Sequence, residues 1–268
     1  MKKRHRSAPA HKRPPCGKVF TFEMDMPQLG AAGRRIWVYL PPGYDSSARR
    51  YPVLYMHDGQ NLFDPGSSFC GVWAVDETLD ALFRKKKTKG VIVVGIDNGG
   101  DERWNEYSPW CGEDGTGQCS GDKYARFIID ELKPQVDKRL RTLPGREHTG
   151  VAGSSLGGII SFYIALKYPR VFSRAGVFSP SFWFARAEAE QLIKRARTQQ
   201  GLRIYMDVGT EEGDHRDDYL RDAGGLSALL TGKKGVEHRF IIDKGGIHNE
   251  KAWAKRFPAA FLWLFEGE

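Results

Sequence analysis

Residues 149–158 read TGVAGSSLGG, and within them Gly153-Ser154-Ser155-Leu156-Gly157 fits the pattern G-x-S-x-G. A serine flanked in this way, after a strand-like run and before a helical one, suits a nucleophile on a tight strand-to-helix turn. The demand for glycine is steric. Side chains two residues before and two after the serine would strike neighbouring elements. Such a turn lifts the hydroxyl above the sheet and sets it at a helix N-terminus, where free N–H groups favour developing negative charge. Ser155 is therefore the candidate nucleophile and the Leu156 N–H a candidate oxyanion donor. Ser154 lacks the symmetric glycine flanks. The competing reading, an idle serine in a structural turn, is disfavoured by the flanking strand and helix. The chemistry implied is attack on an acyl carbon.

A serine hydroxyl is a weak nucleophile and needs a base within hydrogen-bond reach. Where such an elbow occurs, the chain order is Ser, then Asp or Glu, then His. Downstream of Ser155 the histidines are His215, His238 and His248. His238 lies inside a strand pattern, whereas His248 follows the last strand in the loop KGGIHNE. A glycine-rich loop suits a functional side chain. His248 is the expected base, with His215 second. The acid is expected just after the strand RIYMDV, in the segment Gly209 to Asp214. Glu212 and Asp214 can both reach, and Asp207 is a third candidate on the strand itself; a merely solvated acidic loop is the alternative.

A second oxyanion donor is expected from the loop Met56-His57-Asp58-Gly59-Gln60-Asn61, through the Gly59 or Gln60 N–H. His57 reads as a residue that shapes the loop. Aromatic residues that could face a ring-bearing acyl group or a sugar occur in two segments, Trp104, Tyr107 and Trp110, and Phe182, Trp183 and Phe184. Hydrophobic packing beneath a loop would use the same residue types.

These residues need a frame. Strand-like runs occur at 18–24, 35–41, 52–57, 91–96, 149–154, 174–178, 203–208 and 238–243. The middle runs, such as VIVVGI, are apolar on both alternating faces, as strands covered on both sides must be. The first two alternate and read as antiparallel edge strands. Helical patterns fall at 74–85, 121–140, 156–167, 185–199, 217–230 and 250–265, with Pro134 expected to kink or divide the second. Strands alternating with helices predict an α/β domain with a mostly parallel central sheet.

The chain has 268 residues, 40% of them hydrophobic and 28% charged, ordinary for a globular protein. Its formal charge is +8, but residues 1–15 hold six Lys/Arg and no acids, and the remainder carries only +2. The body gives no charge argument for a nucleic-acid partner. The first fifteen residues read as a solvated, disordered basic tail ahead of a single domain over 16–268, with a membrane-surface or polyanion contact as the alternative, and they lack the apolar stretch of a secretory signal, so a cytoplasmic location is expected, with secretion as the alternative. No run is long and apolar enough for a membrane span. Cysteines stand at 16, 70, 111 and 119 without a CxxC pair, so no zinc site is expected. Cys111 and Cys119 could bridge across CGEDGTGQC or remain free thiols.

The stretches YPVLYMHDGQNLFD (51–64), VIVVGIDNGGDERWNEYSP (91–109), VAGSSLGG (151–158), DVGTEEG (207–213) and GGIHNEKAW (245–253), in this order, resemble the Putative esterase family. This family of the α/β-hydrolase superfamily includes feruloyl and acetyl-carbohydrate esterases, trilactone siderophore esterases and mycolyltransferases. The resemblance covers roughly residues 18–265. It implies an α/β-hydrolase fold, a mostly parallel central sheet flanked by helices with antiparallel N-terminal edge strands. It places the family's nucleophile on Ser155, its histidine on His248 and its acid on Glu212, although some members rely on Ser and His alone. It also makes Arg103, Asn105, Glu106 and Tyr107 candidate cleft residues, with an Arg103–Glu106 structural ion pair as the alternative.

The implied function is a serine carboxylesterase working through an acyl-enzyme, on a carbohydrate-linked acetyl or feruloyl ester or a similar small ester. Alternatives are acyl transfer to an alcohol acceptor, a trilactone siderophore esterase and, last, a non-catalytic binding module. No cofactor is implied, because this machinery needs only triad, oxyanion hole and water. The run EEGDHRDD lacks the spacing of a calcium loop, so no metal is expected.

Overall fold

The protein was described from a computed structural model that covers residues 16–68, 70–111 and 119–267. The basic tail expected at 1–15 lies outside the described residues, as does the interior of the Cys111–Cys119 loop.

Eight strands form one sheet: β1 (Lys18–Met26), β2 (Ala31–Leu40), β3 (Val53–His57), β4 (Ile92–Ile96), β5 (Thr149–Ser154), β6 (Arg174–Phe178), β7 (Leu202–Glu211) and β8 (Val236–Ile247). Their spatial order is β1-β2-β4-β3-β5-β6-β7-β8. β1–β2 and β2–β4 pair antiparallel, and every later pairing is parallel. The apolar runs of the sequence thus mark the strands. β2 begins earlier than expected, at Ala31, and β7 and β8 run on to Glu211 and Ile247.

Helices cover both faces: α1 (Val75–Arg84), α2 (Arg103–Tyr107), α3 (Gly121–Arg126), α4 (Lys133–Arg139), α5 (Leu156–Lys167), α6 (Arg186–Arg195), α7 (Arg216–Thr231) and α8 (Glu250–Phe265). Alternation along β3 shows the layering. Val53 and Tyr55 join the core with α3 to α7, while Leu54 and Met56 join the core with α1 and α8. α5 is buried at Leu156–Leu166, because it lies on the sheet beneath α3 and α6. The architecture is the α/β-hydrolase fold.

Of the two outcomes expected at Pro134, a kink or a division of the helix, division does not occur. α3 runs into α4 through a π-helical segment over Phe127–Leu132. Pro134 lies in the first turn of α4, and its ring would strike the carbonyl of Asp130, four residues back. That carbonyl lies within the wider π turn, which accommodates the ring without a break. Cys111 and Cys119 are joined by a disulfide.

Candidate active site

β5 delivers Ser155 at its C-terminal end, directly before α5. The residue has φ +58° and ψ −121°, a region that L-residues seldom occupy. A Cβ at Gly153 would come within 2.8 Å of the Gly157 carbonyl oxygen and 2.9 Å of the His57 ring. One at Gly157 would meet Asp58 Oδ2 and His57 Cβ at 3.3 Å. Gly153 is therefore required by the turn that holds the serine, while a side chain at Gly157 would crowd His57 and Asp58. The Ser155 N–H donates to the Phe178 carbonyl at 2.9 Å, and its own carbonyl accepts from Gly158 at 3.1 Å and Ile159 at 3.2 Å. The Leu156 and Gly157 amides stand at the helix start, where no preceding turn supplies an acceptor.

β3 ends at His57, and Asp58 turns the chain in the left-handed region at φ +54° into a short 3-10 turn over Gly59–Asn61. The Asn61 and Leu62 amides close this turn onto the carbonyls of Asp58 and Gly59. Gly59 is buried, and a Cβ there would lie 2.9 Å from backbone atoms of Gly95, Ile96 and Asp97. Its missing side chain thus serves close packing on β4, not substrate approach. Gln60 borders the cleft beside Ser155.

The parallel neighbours β7 and β8 bring Glu212 and His248 together from positions 36 residues apart. His248 Nδ1 donates to Glu212 Oε2. The other carboxylate oxygen accepts from Ser179 Oγ at 2.6 Å and the Gly209 N–H at 2.5 Å. Burial alone would raise the Glu212 pKa, but the bonds from His248, Ser179 and Gly209 outweigh it and hold the carboxyl below its ordinary value. Ser179 Oγ in turn accepts from Trp253 Nε1 at 2.9 Å and Arg256 Nη2 at 2.8 Å, so α8 anchors the acid. Gly209 admits this arrangement, since a Cβ there would run into the Gly246 carbonyl.

The other candidates go elsewhere. Asp214 is exposed. Asp207 is fully buried and faces the Arg256 guanidinium at 3.1 Å instead of His248. His215 is exposed and stacks on Trp183. His238 bonds the Ile204 carbonyl and Ser227.

Ser155 and His248 line one cleft of about 590 Å³ with Gln60, Asn98, Arg103 and Glu250. A larger groove of about 820 Å³ runs along α6 past Trp110 and Tyr163 but holds neither Ser155 nor His248. Arg103 does reach the cleft, yet its partner is Asp58, at 2.7 and 2.9 Å, not Glu106. Glu106 is buried in an ion pair with Arg34. Tyr107 is also fully buried and accepts from the Asp58 N–H at 3.0 Å. Glu106 and Tyr107 are therefore supports beneath the loop and not cleft residues, because the single turn of α2 points them into the core. Asn105 bonds Glu102 at 2.8 Å. Trp183 is 38% exposed and Trp104 45% exposed, and with Phe184 they form an aromatic shelf, Trp104 to Phe184 being 4.8 Å between ring centroids.

Sequence reasoning missed Ser179, Trp253 and Arg256 behind the acid, and Ser181 and Tyr219 beside the serine. Ser181 Oγ lies 3.0 Å from Ser155 Oγ and 2.8 Å from the Tyr219 hydroxyl. Nothing in the local sequence marks them, because β6, α7 and α8 assemble the contacts.

The arrangement has the parts for acyl transfer. A strained hydroxyl stands at a helix start, and an imidazole has Nδ1 tied to a buried carboxylate, leaving Nε2 to exchange a proton. Among the described residues no group of three or more His, Cys, Asp or Glu could hold a metal ion, and no helix is long and apolar enough to cross a membrane.

Comparison with known proteins gives a match to the family described as Putative esterase over residues 31–264. The uncharacterized protein YbbA of Bacillus subtilis is 28% identical over 246 residues, 88% of this chain and 94% of that protein. An endo-1,4-beta-xylanase/feruloyl esterase of Xylanibacter ruminicola is 29% identical over 223 residues, 76% of this chain but 27% of that protein. The crystal structure of the enterobactin esterase FES from Shigella flexneri superposes with a TM-score of 0.72 at 20% identity, over 93% of this chain and 59% of that one.

Proposed function

Since the chain belongs to the Putative esterase family and is a carboxylic ester hydrolase, we propose that it cleaves its ester through an acyl-enzyme on Ser155. The observation that carries this reading is the Glu212–His248 pair in the same cleft as the strained Ser155. His248 Nε2 takes the Ser155 proton as Oγ bonds the ester carbon. The carbonyl oxygen becomes an oxyanion facing the Leu156 amide and the Gly59/Gln60 turn, of whose two residues Gln60 lines the cleft. Collapse expels the alcohol, which takes the proton from His248. Water then repeats the sequence through the same base and frees the acid. Glu212 holds the imidazole in the tautomer with hydrogen on Nδ1 and stabilises the imidazolium that forms.

For the substrate we propose a small ester with a planar ring or a sugar in its acyl or alcohol part. The shelf of Trp104, Trp183 and Phe184 supports this, since exposed indole faces suit stacking on such groups. The feruloyl esterase among the relatives points the same way. The test is a hydrolysis panel of p-nitrophenyl acetate, methyl ferulate, acetylated xylose, a catecholate trilactone and aliphatic esters such as butyl acetate and methyl hexanoate, with Ser155→Ala alongside. The reading expects turnover by the wild type, higher kcat/KM on ring-bearing esters than on aliphatic ones of equal length, and none in the variant. Equal rates on aliphatic esters would overturn the substrate class, and an active Ser155→Ala would overturn the mechanism.

A further inference from the structure

Ser155 Oγ is not free in its cleft. It lies 3.0 Å from Ser181 Oγ, and Ser181 Oγ lies 2.8 Å from the Tyr219 hydroxyl. Both partners are nearly fully buried, Ser181 at 3% and Tyr219 at 7% exposure. Three hydroxyls from β5, the turn after β6 and α7 thus meet at the nucleophile. The mechanism above uses only one of them.

The direction of this chain follows from what the mechanism asks of Ser155, whose hydrogen must go to His248. Tyr219 then donates to Ser181, and Ser181 donates to Ser155 Oγ. A reversed chain would point the Ser155 hydrogen away from its base.

We infer that Ser181 is a further catalytic residue of this site, donating a hydrogen bond to Ser155 Oγ, and that Tyr219 is the positioning residue that holds Ser181 in the donating orientation. The inference rests on Ser155 being the nucleophile. As the Ser155 proton passes to His248, negative charge builds on Oγ before the bond to carbon is complete. It builds there again when Oγ leaves the tetrahedral species in deacylation. A hydrogen bond to a charged oxygen is about twice as strong as one to a neutral hydroxyl, so the Ser181 donor favours the transition states over the resting enzyme. Tyr219 touches no reacting carbon in this account. Its ring packs against the His248 ring at 4.9 Å between centroids, a contact that Tyr219→Phe retains.

The test is a set of five proteins: wild type, Ser155→Ala, Ser181→Ala, Tyr219→Phe and the Ser181→Ala/Tyr219→Phe double variant. Each is assayed for steady-state hydrolysis of p-nitrophenyl acetate and for inactivation by a fluorophosphonate. In that inactivation the serine oxygen bonds phosphorus, fluoride leaves and the proton goes to His248. Ser181→Ala is expected to lower kcat and the inactivation rate together by roughly 10- to 100-fold with KM within about twofold of wild type. Tyr219→Phe should lower both by a smaller factor, and the double variant should match Ser181→Ala within about twofold, because Tyr219 acts through Ser181. The acid limb of the kcat/KM profile should stay within about 0.3 pH units of wild type. A merely structural role would instead give multiplying losses and a changed melting temperature. Ser181→Ala with wild-type kcat, multiplying losses in the double variant, or a shifted acid limb would each overturn the inference. Should Ser181→Ala fail to fold, Tyr219→Phe decides alone, since a wild-type kcat in it removes the positioning role and the chain with it. An active Ser155→Ala would defeat the underlying reading instead, so the two failures are distinguishable.

Discussion

Glu212 reaches His248 across the ends of β7 and β8, with one carboxylate oxygen on the imidazole Nδ1 and the other on Ser179 Oγ and the Gly209 amide. Both oxygens of the acid are thereby fixed, and the imidazole is fixed through them. The carboxyl is held ionised by these bonds in spite of its burial.

Glu212→Gln should therefore cost much more activity than its small change in shape suggests. Nδ1–H would meet an amide that can turn its own N–H toward it, and the imidazole would lose both orientation and counter-charge. A fall in kcat of about 10²- to 10⁴-fold is expected. Asp214→Asn, on the exposed side of the same loop, should stay within about twofold of wild type. Steady-state kinetics on p-nitrophenyl acetate checks both. Equal effects at the two positions would remove Glu212 from the acid role.

Ser155→Ala and His248→Ala should each abolish nearly all turnover, and the double variant should be no worse than the poorer single one. Residues that act as one unit give non-additive losses. The measurement is residual kcat on purified, folded proteins. Multiplying losses would point to separate roles and to another base.

His57 gives a pH prediction for stability. Its ring is buried beside the elbow with Nδ1 against Tyr124 OH at 2.9 Å, and burial lowers its pKa to about 3. Unfolded, the same ring titrates near 6.5. Below that value the unfolded chain takes up a proton that the native one refuses, so stability rises with pH across the window from about 3 to 6.5 and is lost as pH falls through it. The loss between pH 7 and pH 5 should be about 2 kcal/mol from this group. Urea unfolding at the two pH values, wild type against His57→Gln, isolates it. The variant should show the smaller pH difference whatever its absolute stability, and an unchanged difference would mean that His57 titrates in the fold.

Arg103→Ala should destabilise the protein as well as alter the cleft. It would leave the buried Asp58 carboxylate without the guanidinium that pairs with it at 2.7 and 2.9 Å. A cost of about 2–4 kcal/mol is expected, and Arg103→Lys should recover only part of it because the pairing is bidentate. Chemical denaturation measures this. An unchanged midpoint in Arg103→Ala would show that Asn98 and solvent suffice for Asp58.

The elbow was legible in the sequence because its chemistry is enforced locally. Only glycine fits at 153, a side chain at 157 would crowd His57 and Asp58, and the strand and helix around them carry their own apolar patterns. The strands were legible for the same reason, their burial being written in runs such as VIVVGI. Pairings were not legible. Arg103 stands three residues from Glu106, yet the fold gives Arg103 to Asp58 and Glu106 to Arg34, because the ends of β3 and β2 bring each of them a bidentate partner from far away in the sequence. Ser179, Ser181, Tyr219, Trp253 and Arg256 gave no signal, since each acts only through elements distant in sequence. The π segment was hidden because a proline announces a clash but not how the backbone will relieve it.

The central claim, that Ser155 carries the acyl group, is tested most directly by trapping it. The protein is incubated with a fluorophosphonate, digested and analysed by peptide mass spectrometry. The account predicts a single adduct on the peptide containing TGVAGSSLGG, fragmenting to Ser155, with none in Ser155→Ala and a much slower reaction in His248→Ala. An adduct on Ser154 or Ser181 in the wild type, or undiminished labelling of Ser155→Ala, would contradict it.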